Sequence, residues 1–420
     1  MSEWETVIGL EVHCELKTET KLFCGCPNSF GEDPNTSVCP VCLGLPGSLP
    51  VLNRMAVEYA MRIGTALHCT IQASQFHRKN YFYPDMPKDY QISQYDVPIN
   101  ADGWLELPGG QRVGIVRAHL EEDTGKTTHV GGGGRIHDAA HSLVDYNRSG
   151  VPLVEIVSAP DMRTAEEARA YVDELRAILV ATGASDGKME EGSLRVDANV
   201  SVRRPGAEFG TRCEIKNMNS LRSLGRAIEY EAARQIRLID EGGTVTQETR
   251  HWDESAGRTG SMRSKEEAYD YRYFPEPDLV PIAPSADWIE SVASALPRLP
   301  ADRRETLAAL SGMGADSDGV VTVVRLGLDD LVEAAGASPE MAAVAVRRAA
   351  NEVASDIDAA SRLDRSAFAR LVSMETAGEL TSAQARTVLK VLMESGGDPD
   401  RIATDLGFEA MAAGDLEQVV

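Results

Sequence analysis

Four cysteines are spaced as metal ligands. Cys24 and Cys26 form a C-x-C pair, and after 12 intervening residues Cys39 and Cys42 form a C-x-x-C pair. Each pair can present two thiolates from one tight turn, and four thiolates suit a tetrahedral Zn²⁺. A complete thiolate set leaves no open coordination position, so the expected zinc is structural. Disulfides are the alternative, but the N-terminal MSEWETVIGL lacks the basic start and apolar core of a secretory signal. Cys14, Cys69 and Cys213 fit core packing.

A second set is rich in oxygen ligands. Glu11, His13 and Glu15 alternate with Leu10, Val12, Cys14 and Leu16, so a strand would put them on one face. Arg195, Asp197, Asn199 and Ser201 alternate in the same way with Leu194, Val196, Ala198, Val200 and Val202. Further acids come as Glu121-Glu122-Asp123, and Glu214 pairs by spacing with Lys216. A solvated sheet face is the simpler reading. Carboxylates gathered this way repel one another unless cations hold them, and Mg²⁺ takes oxygen ligands together with substrate phosphates. A Mg-nucleotide site is therefore the sharper expectation. No G-x-x-x-x-G-K-[ST] loop occurs, so Lys126, Arg148, Arg195 and Lys216 are the candidate phosphate grips, and Gly131–Gly134 reads as a turn. A rival reading joins His13-Cys14-Glu15 to Cys39-Pro-Val-Cys42 as a zinc nucleobase deaminase. It leaves Cys24 and Cys26 without a role, and Val38 stands where a proline is expected.

These side chains need a sheet with one wet face, which implies a largely antiparallel sheet covered on its other side by helices. Thr164-Ala-Glu-Glu167 reads as a capping box for a helix ending at Gly183, and a second helix runs from near Ser220 to Gly242–Gly243. Of 23 Trp, Tyr and Phe residues, 21 lie before residue 290. Pro275–Pro284 has the proline density of a linker. The expected organisation is α+β: a site-bearing domain over 1–290, an all-α domain over 291–405, and the start of a tail over 406–420. Ser338-Pro339-Glu340 opens an Ala/Val-rich helical run towards Ala360. Another helix runs from Thr381 to Gly396 with Ala385, Val388, Leu389 and Leu392 on one stripe.

The chain has 42 basic and 65 acidic residues, a net charge of −23, which argues against gripping nucleic acid with its whole surface. Residues 203–237 reverse this with eight basic and four acidic residues, the best local footprint for a phosphate backbone. No apolar run approaches the roughly 18–20 residues of a membrane span, so no membrane partner and a cytoplasmic location are expected.

Several stretches together resemble one family. They include Glu5-Thr-Val-Ile-Gly-Leu-Glu-Val-His13, Lys79-Asn-Tyr-Phe-Tyr-Pro-Asp85, His119-Leu-Glu-Glu-Asp-Thr-Gly-Lys126 and Val151-Pro-Leu-Val-Glu-Ile-Val157. Met189-Glu-Glu-Gly-Ser-Leu-Arg-Val-Asp-Ala-Asn199, Glu214-Ile-Lys-Asn217 and Asp270-Tyr-Arg-Tyr-Phe-Pro-Glu-Pro-Asp278 continue the pattern. The family is that of the B subunits of glutamyl/aspartyl-tRNA amidotransferases. The resemblance implies a glutamine synthetase-like, mostly antiparallel sheet with helices (the cradle), followed by an all-α domain. It implies ATP-dependent phosphorylation of Glu or Asp misacylated onto tRNA(Gln) or tRNA(Asn). Amination follows, with ammonia from a partner amidase (the A subunit) in a complex that includes a small C subunit. By the same resemblance Glu11, His13 and Glu122 match magnesium ligands. Glu121, Glu155, Asp197 and Lys216 match other polar positions of the kinase-like site, and Lys79 matches a position near ammonia entry. Cys24, Cys26, Cys39 and Cys42 match the zinc ligands of many members, and the tail implied after the helical domain contacts tRNA. A zinc-bearing, non-catalytic tRNA scaffold is the alternative from another class. The archaeal Gln-specific paralogue is a closer rival, but its inserted synthetase-like domain finds no room here.

Overall fold

The computed structural model describes residues 3–131, 139–262 and 271–408. Most of the expected Gly131–Gly134 turn and of the 406–420 tail lies outside these residues, as does Asp270. The chain divides into two compact units, Met1–Pro297 and Arg298–Val420. No helix of the described residues is long and apolar enough to cross a membrane.

The first unit is built on strands β1 (Glu5–Glu15), β2 (Thr70–Ile71), β3 (Phe76–Asn80), β4 (Tyr90–Gln94), β5 (Asn100–Glu106), β6 (Arg112–Glu122) and β7 (Lys126–Val130). They continue as β8 (His141–Asp145), β9 (Pro152–Ser158), β10 (Leu194–Arg203), β11 (Cys213–Met218), β12 (Thr249–Asp253), β13 (Arg258–Ser261) and β14 (Phe274–Pro275). The main sheet runs β13-β12-β11-β10-β1-β9-β6-β4-β3-β14, with β5 on β6 and β2 on β5, while β7 and β8 form a separate pair. Pairing is antiparallel except for β11 with β12, where Lys216 lies opposite His251 in a parallel register. The fold is α+β.

Alternation decides which face is wet. Leu10, Val12, Val154, Ile156, Ala118, Leu120, Val196 and Ala198 are all buried. Helices α1 (Arg54–Ala66), α2 (Ala165–Ala181) and α3 (Leu221–Asp240) cover that side, α1 against β6 and α3 against β10. Helix α2 starts as expected at Thr164, whose hydroxyl accepts from the Glu167 amide. The capping box does not close, because the Glu167 carboxylate accepts from the Arg163 amide one residue earlier, at 2.6 Å.

The proline-rich passage after residue 274 is tied to the sheet instead of hanging between domains. Ile282 bridges Ser74. Glu276, 2 % exposed, takes a forked pair of hydrogen bonds from Arg78 at 2.7 and 2.9 Å. Helix α4 (Ala286–Ser294) follows within the first unit.

The second unit is helical: α5 (Pro300–Ser311), α6 (Asp318–Arg325), α7 (Asp329–Ala335), α8 (Pro339–Asn351), α9 (Ile357–Ala360), α10 (Arg365–Thr376), α11 (Ser382–Ser395) and α12 (Pro399–Asp405). Val323, Val332, Val346, Phe368, Leu371 and Leu389 belong to its buried core. The run expected to reach Ala360 stops at Asn351. Asp356 restarts it by accepting from the Ala359 amide at 2.9 Å, as an N-cap does. Helix α11 has the expected stripe and a full capping box between Thr381 and Gln384.

Candidate active site

The polar side of the main sheet is a continuous surface because its strands register residue against residue. His13 lies opposite Arg195 on β10 and Glu155 on β9. Glu155 in turn lies opposite His119 on β6. Glu11 faces Asp197, and Asn199 faces Glu214. Towards the other edge Glu121 lies opposite Ser93, and Ser93 opposite His77. Lys79 is two residues from His77 and so shares its face.

At the middle of this surface His13, Glu121 and Glu155 can each offer a ligand atom within 4.8 Å of the others. His13 Nε2 is 3.4 Å from Glu155 Oε2, and Arg117 reaches the other oxygen at 3.4 Å. Ser93 donates to Glu121 at 3.1 Å, and His119 lies 3.6 Å from the same oxygen. Beside them Asn199 donates to Glu11 at 3.0 Å. Burial, then Glu155 and Glu214, push the Glu11 carboxyl above its ordinary range. Burial alone would lower His13, but its contact with Glu155 and the charges of Glu121 and Asp197 outweigh this and raise it. Glu155 is depressed on balance: burial opposes ionisation, while His119, His13 and Arg117 favour it. One imidazole and several carboxylates around one point form a set that a divalent cation with oxygen preference can share with water and phosphate.

Two lysines stay charged here. Burial disfavours the Lys79 ammonium, yet Glu121, Tyr273 and Glu155 raise it on balance. Burial likewise opposes Lys216, and Asp197 and Glu214 overcome it. Lys216 contacts Asp197 and lies 3.0 Å from Glu214. A register shift between Val196 and Ala198 leaves an extra residue on β11, and Asn217 takes φ 70°. Bulges of this kind re-aim side chains beside active sites.

Glu122 does not join this cluster. Adjacent strand residues point to opposite faces, and Glu122 shares parity with the buried Ala118 and Leu120. Its carboxylate is ion-paired to Lys88 and accepts from the Ile92 amide at 2.8 Å. The geometry therefore groups Glu121, not Glu122, with His13. Lys126 also stands away, exposed at the start of the separate β7–β8 pair. Arg148 donates to the carbonyls of Thr124 and Gly125 at 2.9 and 3.0 Å, and Arg195 donates to Asp123 at 2.5 Å. Asp123 and burial raise the neighbouring Glu15 to about 8, with burial the larger cause.

The basic stretch over 203–237 is largely neutralised in place. Arg203 pairs with Glu5, Arg204 with Glu3, Arg226 with Glu254 and Arg234 with Glu231. Arg212 has no ion pair among the described residues. It lines a cleft of about 450 Å³ with Gly9, Glu11, Ser158, Asn199 and Phe209. Sequence reading does not single out His119, Ser93, Arg117 or this use of Arg212. His119 and Arg117 are legible from their parity with Glu121 within β6, whereas the others need the strand pairing.

Cys24, Cys26, Cys39 and Cys42 form the second group, their sulfurs within 4.8 Å of one another. Cys42 Sγ is 3.9 Å from Cys39 Sγ, close to the roughly 3.8 Å edge of a tetrahedron with zinc–sulfur bonds of about 2.3 Å. The Cys39 amide donates to Cys42 Sγ at 3.1 Å. A hydrogen bond from Cys24, the Cys39 amide and the Lys21 charge hold the Cys42 thiol down at about 5 despite burial. The deaminase reading does not survive this arrangement, since His13 belongs to the carboxylate cluster and all four cysteines to their own group.

Residues 6–290 match the family model described as the GatB/GatE catalytic domain. Similar curated proteins include one from Frankia casuarinae, 53% identical over 98% of this chain and 85% of its own length. Others are from Carboxydothermus hydrogenoformans, 50% identical, and Brevibacillus brevis, 48% identical, each over 100% of this chain and 89% of the relative. All three are named as the B subunit of an aspartyl/glutamyl-tRNA(Asn/Gln) amidotransferase.

Proposed function

The chain belongs to the GatB/GatE family, the B subunits of aminoacyl-tRNA amidotransferases, and from that premise we propose that its polar sheet face is the phosphoryl-transfer and amidation site. The substrates are Glu or Asp misacylated onto tRNA(Gln) or tRNA(Asn), together with ATP and ammonia. The ammonia comes from a partner amidase (the A subunit), held in the complex with a small C subunit. The observation that carries this reading is the convergence of His13, Glu121 and Glu155 inside the segment that matches the family domain.

A carboxylate resists attack by ammonia. Transfer of the γ-phosphoryl group of ATP to one carboxylate oxygen gives an acyl phosphate and ADP. The ammonia nitrogen then bonds to the acyl carbon, phosphate leaves with the electrons of its C–O bond, and the nitrogen loses a proton to leave the amide. Bound at this cluster, Mg²⁺ would offset charge on the transferring phosphoryl. His13, Glu121 and Glu155 would hold it, with Glu11 adjacent. Lys79 and Lys216, both kept protonated by their acid neighbours, suit binding of phosphate oxygens and cannot take the proton from nitrogen while charged. Asp197 and Glu214 hold Lys216 in place. The cleft beside Glu11 and Asn199, with Arg212 in its wall, has room for a nucleotide. Cys24, Cys26, Cys39 and Cys42 would hold a structural Zn²⁺ that fixes their loop.

The test is a reconstituted complex with its partner subunits, ATP and each misacylated tRNA, scored by analysis of the esterified amino acid. Glu121→Gln should lose amidation and keep tRNA binding. Undiminished amidation would support a non-catalytic scaffold.

A further inference from the structure

Two of the sequence stretches that mark the family contain tyrosines with no part in the chemistry above. Tyr81 and Tyr83 follow β3, Tyr271 and Tyr273 precede β14, and Tyr95 follows β4. The fold stacks them. Tyr95 and Tyr273 lie with ring centroids 4.1 Å apart and planes 11° from parallel. Tyr81 and Tyr83 stack at 4.8 Å and 20°, and Tyr271 meets Tyr273 edge-on at 6.2 Å. Core packing does not account for the outer rings, since Tyr95 is 56% exposed and Tyr83 49%.

Their place is as telling as their exposure. Tyr95 comes two residues after Ser93, whose hydroxyl donates to Glu121 at 3.1 Å, so about 7 Å of strand separates the two positions. The Lys79 ammonium lies 4.8 Å from the centre of the Tyr271 ring. Burial raises the Tyr273 phenol, and Glu121 and Glu155 add to the effect.

We infer that Tyr95, stacked on Tyr273, is the platform on which the unpaired 3′-terminal adenosine of the misacylated RNA rests while its amino acid reaches the carboxylate cluster. This rests on the function proposed above. The reacting carboxyl is a few bonds from the ribose of that adenosine, so its base must sit close to Glu121. The nearby surface carries Asp96, Glu121 and Glu155, and its cations Lys79 and Arg117 lie against those acids, so attraction for backbone phosphate is a weak hold on RNA there. Stacking is indifferent to phosphate charge and gives roughly ten- to hundredfold in affinity per base. It also suits an enzyme taking two tRNAs, because both end in the same nucleoside.

The experiment uses the complex assembled with its partner subunits and an acceptor-stem RNA carrying 2-aminopurine as its 3′-terminal base. Binding, followed separately by anisotropy, should quench the fluorescence with the unaltered chain and with Tyr95→Phe. The quench should disappear with Tyr95→Ala. With misacylated tRNA, Tyr95→Ala should raise KM about tenfold and change kcat far less, and Tyr95→Phe should restore KM. RNA that binds the unaltered complex without quenching would overturn the stacking and leave the proposed reaction standing. A complex that bound no misacylated RNA, and amidated none, would overturn the reaction and the stacking together.

Discussion

The wet sheet face of the first unit and the helical second unit are both rich in acid, yet they hold it differently. Residues 291–420 have 12 basic and 21 acidic side chains, and several of the acids there, buried and exposed, are met by arginine. Arg348 forks onto Glu375 at 2.8 Å through two nitrogens and reaches Glu352 at 3.1 Å. Arg370 bridges Glu379 and Asp400 at 2.8 and 2.6 Å, and Arg303 forks onto Asp329. On the sheet face Glu155 and Asp197 have Arg117 and Lys216, but Glu11 has an amide from Asn199, and Glu121 has a hydroxyl and a distant imidazole. The second pattern costs stability through mutual repulsion and leaves charge to be satisfied by an incoming cation. The first satisfies its charge internally, so removing one partner strands the other.

That contrast breaks if the two kinds of acid respond alike to neutralisation. The largest effect expected is from Glu121→Gln: amidation by the assembled complex should fall roughly 10²–10⁴-fold, while thermal melting of the chain stays level or rises. Arg348→Met should do the reverse. It strands Glu375 in a buried setting and should cost about 3–5 kcal/mol in urea denaturation, with unchanged turnover per folded molecule. Cys42→Ser should reduce bound zinc, read by metal analysis after gel filtration, and lower the melting temperature without a chelator effect on what remains. A smaller effect concerns pH. The raised His13 gives the metal-free chain stability that is fully present below about 6.5 and is lost as pH rises through its higher folded value. Denaturation series across that range should show the loss with chelator present, and added Mg²⁺ should offset it because the metal needs neutral imidazole.

How much of this was legible in the sequence follows from period and parity. The alternation over 7–16 and 194–202 places β1 and β10, and with them the facing of Glu11, His13, Asp197 and Asn199. Parity within β6 also carries the information that Glu121 and Glu122 point apart, because Ala118 and Leu120 mark the apolar side. Reading Glu121-Glu122-Asp123 as one block of acid hides it. Which strand lies beside which is set by long-range packing, so the meeting of His13 with Glu155 and His119 is not written in any local window. The same holds for the proline-rich passage: its composition reads as a linker, but Glu276 is drawn onto the sheet by Arg78, 198 residues away.

The most direct test is whether the assembled complex, given ATP and misacylated tRNA without an ammonia source, forms an acyl phosphate that hydroxylamine traps as an ATP-dependent hydroxamate on the side-chain carboxyl, distinct from the α-hydroxamate that the ester itself gives. The sheet-face site predicts trapping with the unaltered chain and its loss in Glu121→Gln, with tRNA still bound. Trapping at the unaltered rate in Glu121→Gln would contradict it.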